Sequence, residues 1–215
     1  MHRRLFPLLW FLILASAWGE AQITRGPYLQ LAHEEGITIV WRTGEAMNEP
    51  KVAYWMGGTR AVKICDGRKI LRRTIKSKQP LSKAPKGTVQ YEATISGLRN
   101  ATIYQYAIYD GKTALSKPGA KFRFKTHPPI GVPTSTRLWV VGDSGTGALH
   151  QRLVHEAMLQ YTATTKRPLD LYLHVGDMAY AKGSDDQFQT NFFAPYKETL
   201  RNTVCWASMG NHEGG

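Results

Sequence analysis

The sequence predicts a multidomain chain, an all-β sandwich followed by an α/β layer of βαβαβ order. Three observations predict it. From Ile23 to Thr126, short runs alternate apolar and polar residues between turn signals, the pattern of a small sandwich. Beyond a proline-rich stretch, the runs become continuously apolar and alternate with helical patterns, as in a mostly parallel sheet. Three of these later runs end in GDSG, GDMAY and GNHE, which place Asp143, Asp177 and Asn211 each 34 residues apart. A βαβ unit takes about 30 residues or more, so this is the spacing of successive strands of one sheet.

Taken in order, the chain begins with Met1-His2-Arg3-Arg4, a basic start, followed by an apolar stretch from Leu5 to Trp18. That stretch falls short of the roughly 20 residues that span a bilayer, and small residues follow it. Residues 1–21 read as a secretory signal peptide cut after Ala21 or Ala17, which predicts a secreted or periplasmic protein. No later segment predicts stable membrane insertion. The sandwich covers 22–127. Within it, Ile37, Ile39 and Trp41 share one face of a strand, and Lys51 to Met56 forms a second. Val89, Tyr91, Ala93 and Ile95 alternate before Gly97, and Thr102 to Tyr109 runs to a turn at Asp110-Gly111. Ala120 to Thr126 alternates through Phe122 and Phe124. Leu98, Thr102 and Tyr104 have the spacing of a tyrosine corner, in which a phenol bonds nearby backbone at a sheet crossover. Residues 128–135 form a proline-rich linker. In 136–215, Arg137 to Val141 predicts a strand buried on both faces. Ala148 to Tyr161 predicts a helix with Leu149, Leu153, Ala157 and Tyr161 on its packed stripe. Leu169 to Val175 predicts a second strand, Asp185 to Arg201 a broken helical stretch, and Thr203 to Met209 a third strand.

The net charge of +12 is unevenly placed. Residues 22–128 hold 19 Lys/Arg against 7 Asp/Glu, whereas 129–215 hold 7 against 8. The basic surplus is therefore remote from the three motifs. It is compatible with contact to an anionic surface, but Arg68-Lys69 and Arg72-Arg73 lack interleaved aromatics, so no nucleic-acid partner is expected. Two cysteines, Cys65 and Cys205, fall in different parts and predict neither a disulfide framework nor a cysteine metal site. Asn100-Ala101-Thr102 is an N-glycosylation sequon.

The three motifs carry the chemistry. Ligands of open α/β sheets bind outside the carboxyl ends of the strands, where all three sit. A glycine before each polar residue allows the sharp turn that returns a side chain over the strand end. Two carboxylates, an amide and a phenol would converge there, and such oxygen donors suit hard cations. Without a cation, two adjacent carboxylates force protonation or cost several kcal/mol. GDSG also surrounds a protease nucleophile, but there it belongs to a β-barrel with an upstream His and Asp. Gly142, Gly145 and Gly147 lack the spacing of a dinucleotide loop.

In this order the motifs resemble those of calcineurin-like metallophosphoesterases, and GDMAY resembles the GDxxY motif of the purple acid phosphatases. The sandwich, with its tyrosine corner and Trp41, is similar to a fibronectin type III domain. The Arg25-Gly26-Pro27-Tyr28-Leu29-Gln30 start and the signal peptide agree with that branch. The resemblance thus implies a fibronectin III-like domain followed by the first half of an α/β metallophosphoesterase domain. It implies a ferric ion beside a divalent Fe, Zn or Mn, with Asp143 and Tyr180 on the ferric ion, Asp177 bridging and Asn211 on the divalent ion. His212 would contact the phosphate and protonate the leaving group. The implied activity is acid hydrolysis of phosphate monoesters through a metal-bound hydroxide. Alternatives are a phosphodiesterase or nucleotidase on the same scaffold, or a non-enzymatic basic binding module. The family pattern needs later histidine motifs, so the chain is expected to be an N-terminal part with little turnover of its own. His150 and His155 are expected on the helix surface, His174 on a strand beside the site, and Glu213 in a salt bridge, with a place in the outer shell of the site as its alternative.

Overall fold

The computed structural model describes residues 21–59, 61–70 and 84–213. The signal-peptide reading of 1–21 (all but Ala21) and the Arg72-Arg73 pair lie outside the described residues. Among the described residues no helix is long and apolar enough to cross a membrane.

The first half is built of two antiparallel sheets, with short strands set by the period-two pattern. One has the order β1 (Ile23–His33), β2 (Gly36–Thr43), β6 (Val89–Ile95), β5 (Arg68–Lys69). The other has the order β4 (Lys63–Asp66), β3 (Pro50–Met56), β7 (Ile103–Asp110), β8 (Thr113–Ala114), with β9 (Arg123–Lys125) also on β7. Ile37, Ile39, Trp41, Tyr91 and Ile95 from the first sheet pack on Val52, Tyr54, Tyr106, Ile108 and Phe124 from the second. The indole of Trp41 stacks on Tyr91 at 5.7 Å and donates its N–H to Met47 Sδ at 3.2 Å. Tyr104 forms the expected corner, its hydroxyl accepting the Arg99 N–H at 2.9 Å.

The second half has a three-stranded parallel sheet, β10 (Leu138–Val141), β11 (Leu171–His174) and β12 (Cys205–Ala207). Helix α1 (Leu149–Thr164) joins the first pair of strands. Between β11 and β12 come α2 (Asp185–Phe188), a π-helical turn (Gln189–Phe193) and α3 (Lys197–Leu200). A capping box at Ser184 starts α2, with Gln187 completing it. Among the described residues, sheet predominates and helices are few.

Packing departs from the sequence reading in three places. β2 is buried along its entire length, not on one face. Its second face, through Val40, joins Tyr28, Tyr172, Phe192 and Tyr196 in another core that welds the parallel sheet and its helices to the sandwich. The phenol of Tyr106 crosses the same boundary and donates to the Arg201 carbonyl at 2.7 Å. Conversely, β10 is buried on one face only. Trp139 and Val141 pack inward, whereas Leu138 and Val140 are 50% and 55% exposed. The expected stripe of α1 also fails: Leu149, Leu153 and Tyr161 are exposed, and the residues it buries are Gln151 and His155. His155 stacks on Trp139 at 5.6 Å and shares a 2.8 Å hydrogen bond with Thr199 Oγ1, which ties α1 to α3. It is thus an interior residue, while His150 is exposed as expected. Polar aromatic stacking has replaced aliphatic packing on that face.

Candidate metal centre

The three motifs follow strands that run parallel and in register, so they gather at one edge of the sheet. Asp143 and Asp177 both adopt left-handed backbone, at φ 51° and φ 57°. Few non-glycine residues do so; aspartate tolerates it better than most, and the cost is about 1–3 kcal/mol each. The turns offset it by bonding each other. Asp143 N–H donates to Gly176 O at 3.0 Å, Gly145 N–H to Asp177 O at 3.0 Å, and Tyr180 N–H to Gly145 O at 2.8 Å. The amide of Asn191 caps the junction, donating to the carbonyls of Gly145 and Tyr180 at 3.0 and 3.1 Å. Approach this close needs glycine where the turns touch. A Cβ at Gly145 would collide with the Met178 backbone, and one at Gly210 with the Asp177 carboxylate.

Between these turns, the Tyr180 hydroxyl lies 3.1 Å from Asp143 Oδ1 and 3.2 Å from Asp177 Oδ2. One phenolic proton can serve only one of them at a time. Desolvation, and then the bonds to the two aspartates, push the Tyr180 phenol up to about 12. Asp177 is buried and Asp143 exposed. Three hard oxygens around one point, two of them carboxylate, fit a single hard cation. Among the described residues no group of three His, Cys, Asp or Glu side chains is placed to hold a metal, so this donor set depends on the phenol.

The GNHE turn supplies the remainder. His212 N–H donates to Asp177 Oδ1 at 3.0 Å, which leaves Oδ2 facing Tyr180. The His212 ring sits edge-on to Tyr180 at 4.4 Å, and its Nδ1 lies 2.6 Å from Ala181 O. A carbonyl only accepts, so Nδ1 carries the proton and Nε2 is the nitrogen with no bond among the described residues. Asn211 is exposed in the same turn, and its amide makes no hydrogen bond among the described residues. Geometry therefore gathers Asp143, Asp177, Tyr180 and His212, with Asn211 adjacent through the backbone only.

Two residues behave otherwise than the sequence reading has them. Glu213 forms no salt bridge among the described residues. Its carboxylate accepts three backbone N–H groups instead, from Asp177, Ala179 and Gly210. Asn191 carries no motif at all; only its place in an aromatic helical segment hinted at packing. His174 lies on β11 beside the site, as expected, with Nε2 2.8 Å from Ser144 Oγ. The Gly176 N–H donates to its Nδ1 at 3.2 Å, so the neutral ring donates from Nε2 to Ser144. That polarity cannot withdraw a proton from Ser144, which agrees with the rejection of a protease nucleophile. Burial holds His174 below the usual histidine range, against the pull of Glu213, Asp143 and Asp177. Cys65 and Cys205 are both free thiols.

Compared with known proteins, the chain matches no family model and no curated sequence.

Proposed function

We propose that this chain carries the first part of a dinuclear metallophosphoesterase site of the purple acid phosphatase type, acting on phosphate monoesters. The observation that carries the reading is the convergence of Asp143 Oδ1 and Asp177 Oδ2 on the Tyr180 hydroxyl, with both aspartates in left-handed turns. Left-handed non-glycine residues persist where the surroundings over-determine them, and they cluster at functional sites. The three oxygens would hold a ferric ion, Asp177 would reach a divalent neighbour, and Asn211 would add a neutral oxygen to that neighbour. When bound, such cations neutralise phosphoryl charge and acidify water.

The chain's own residues do the rest. His212, whose Nδ1–H is held by Ala181 O, leaves Nε2 open; as the imidazolium it would donate Nε2–H to a phosphate oxygen and pass that proton to the leaving alkoxide. The His212 N–H fixes Asp177 Oδ1, so the carboxylate cannot rotate away from Tyr180. The fibronectin III-like sandwich acts as a rigid support on which the parallel sheet is mounted.

Loading the purified chain with Fe(III) and Zn(II) tests this. We expect a visible charge-transfer band that Tyr180→Phe abolishes, and loss of binding of both metals in Asp177→Asn. A band retained in Tyr180→Phe overturns the ligand set. Hydrolysis of an aryl phosphate against a diester separates the monoesterase from the phosphodiesterase reading.

A further inference from the structure

We propose that Glu213 is a positioning residue for Asp177, acting across the gap between the second and third motif turns; its role toward iron rests on the metal reading above. A half-buried carboxylate with no cationic partner among the described residues needs several donors, and Glu213 finds them in backbone. Oε2 takes the N–H of Asp177 and of Gly210, each at 2.8 Å, and Oε1 takes the N–H of Ala179 at 3.1 Å. Two of these donors flank the left-handed turn at Asp177, and the third belongs to the GNHE turn itself.

The bonding is reciprocal. Glu213 holds the Asp177 backbone, while His212, its neighbour, donates its own N–H to Asp177 Oδ1. One turn therefore fixes both the φ of Asp177 and the rotation of its carboxylate. The backbones meet so closely that a Cβ at Gly176 would fall 2.9 Å from Gly210 Cα. A side chain of glutamate length from the third turn is what closes this contact without a cation. Asp177 is secured this way, whereas Asp143 is exposed and, among the described residues, is tied through the Gly176 carbonyl and Tyr180. Glu213 thus does for a ligand what an outer-shell partner does in a metal site, and losing such a partner costs about 10- to 100-fold in metal affinity.

Amide hydrogen exchange on the metal-free chain and Fe(III) titration followed by visible absorption test the role. In Glu213→Ala, we expect the amides of Asp177, Ala179 and Gly210 to exchange about tenfold faster or more, the size of a lost bond to a charged acceptor. We expect Fe(III) affinity to fall about 10- to 100-fold, with a displaced band. Glu213→Gln, which keeps the shape but offers one acceptor oxygen and two opposed donors, should fall between the two. Glu156→Gln, an exposed change of the same charge on α1, should leave affinity and exchange unaltered. Should Glu213→Ala not fold, the Gln variant decides alone, and wild-type exchange in it overturns the proposal. Unaltered exchange at the three amides overturns it, as does wild-type iron affinity in Glu213→Ala when the unsubstituted chain binds iron. Failure of the unsubstituted chain to bind iron overturns the metal reading instead, and the exchange data then decide the role of Glu213 by themselves.

Discussion

Asp143 and Asp177 hold conformations that most side chains avoid, and each is kept there by the other's turn. Tyr180 shows what this does chemically. Its phenol sits between two carboxylates and keeps its proton up to about 12, from an ordinary value of 10.0. A tyrosine raised in this way adds stability that is fully present below pH 10 and is lost as pH rises through the folded value. In the metal-free chain, ultraviolet titration should show one phenol, absent from Tyr180→Phe, ionising well above the ordinary value of 10.0. Asp143→Asn should bring that ionisation down, because one of the two opposing carboxylates is gone. An unchanged titration in Asp143→Asn would disprove the coupling. The GD and GN pairs were legible in the sequence because a glycine before a polar residue at a strand end is a local pattern. The bonds of Glu213 to Asp177 and of Asn191 to Gly145 were not, because they reach 36 and 46 residues along the chain to partners that no local pattern names.

At the scale of elements, the junction between the two halves is secured by ions as well as apolar packing. Asp185, at the start of α2, takes Arg42 at 2.7 Å and Arg25 at 3.1 Å, and Arg25 also reaches Gln189 Oε1 at 2.7 Å. Both arginines come from the first two strands of the sandwich and are nearly buried. Burial would raise the Asp185 carboxyl, yet the guanidiniums of Arg42 and Arg25 outweigh it and hold it below its usual 3.8. A depressed carboxylate stabilises the fold above its unfolded value and loses that contribution as pH falls through the folded one. We therefore expect Asp185→Ala to destabilise the chain by about 3–5 kcal/mol, the size of an uncompensated buried charge. Thermal melts should show that the acid loss of stability starting below pH 3.8 is shallower in the variant than in the unsubstituted chain. Equal melting of the two at pH 7 would refute the clamp. Strands β2 and β6 were legible from alternation, β3 and β7 from strand-forming runs closed by glycine turns, and the corner at Tyr104 from a three-residue pattern. The clamp was not, since Arg25, Arg42 and Asp185 are ordinary charged residues until the halves meet.

At the scale of the molecule, the parallel sheet is covered on one face by the helices and the sandwich, and among the described residues it is left bare on the other. Leu138, Val140, Val175 and Trp206 are exposed there, with Val175 at 60%. Parallel sheets are ordinarily covered on both faces, and an apolar patch of this kind binds hydrophobic dyes. Val140→Lys combined with Val175→Lys should lower dye binding markedly and leave the melting temperature within a few degrees; undiminished dye binding would show that the bare face is not its source. What the sequence determined by itself was local and periodic: alternating strands, a change of period after the prolines, and three motifs at 34-residue intervals. Those signals depend on backbone geometry that repeats within a few residues. Tertiary structure alone decided which faces were buried. It covered the second face of β2, left the outer face of β10 open, turned His155 inward and gave Glu213 three backbone donors. Burial depends on which layer arrives opposite a face, and that is a property of the assembled chain, not of any segment in it.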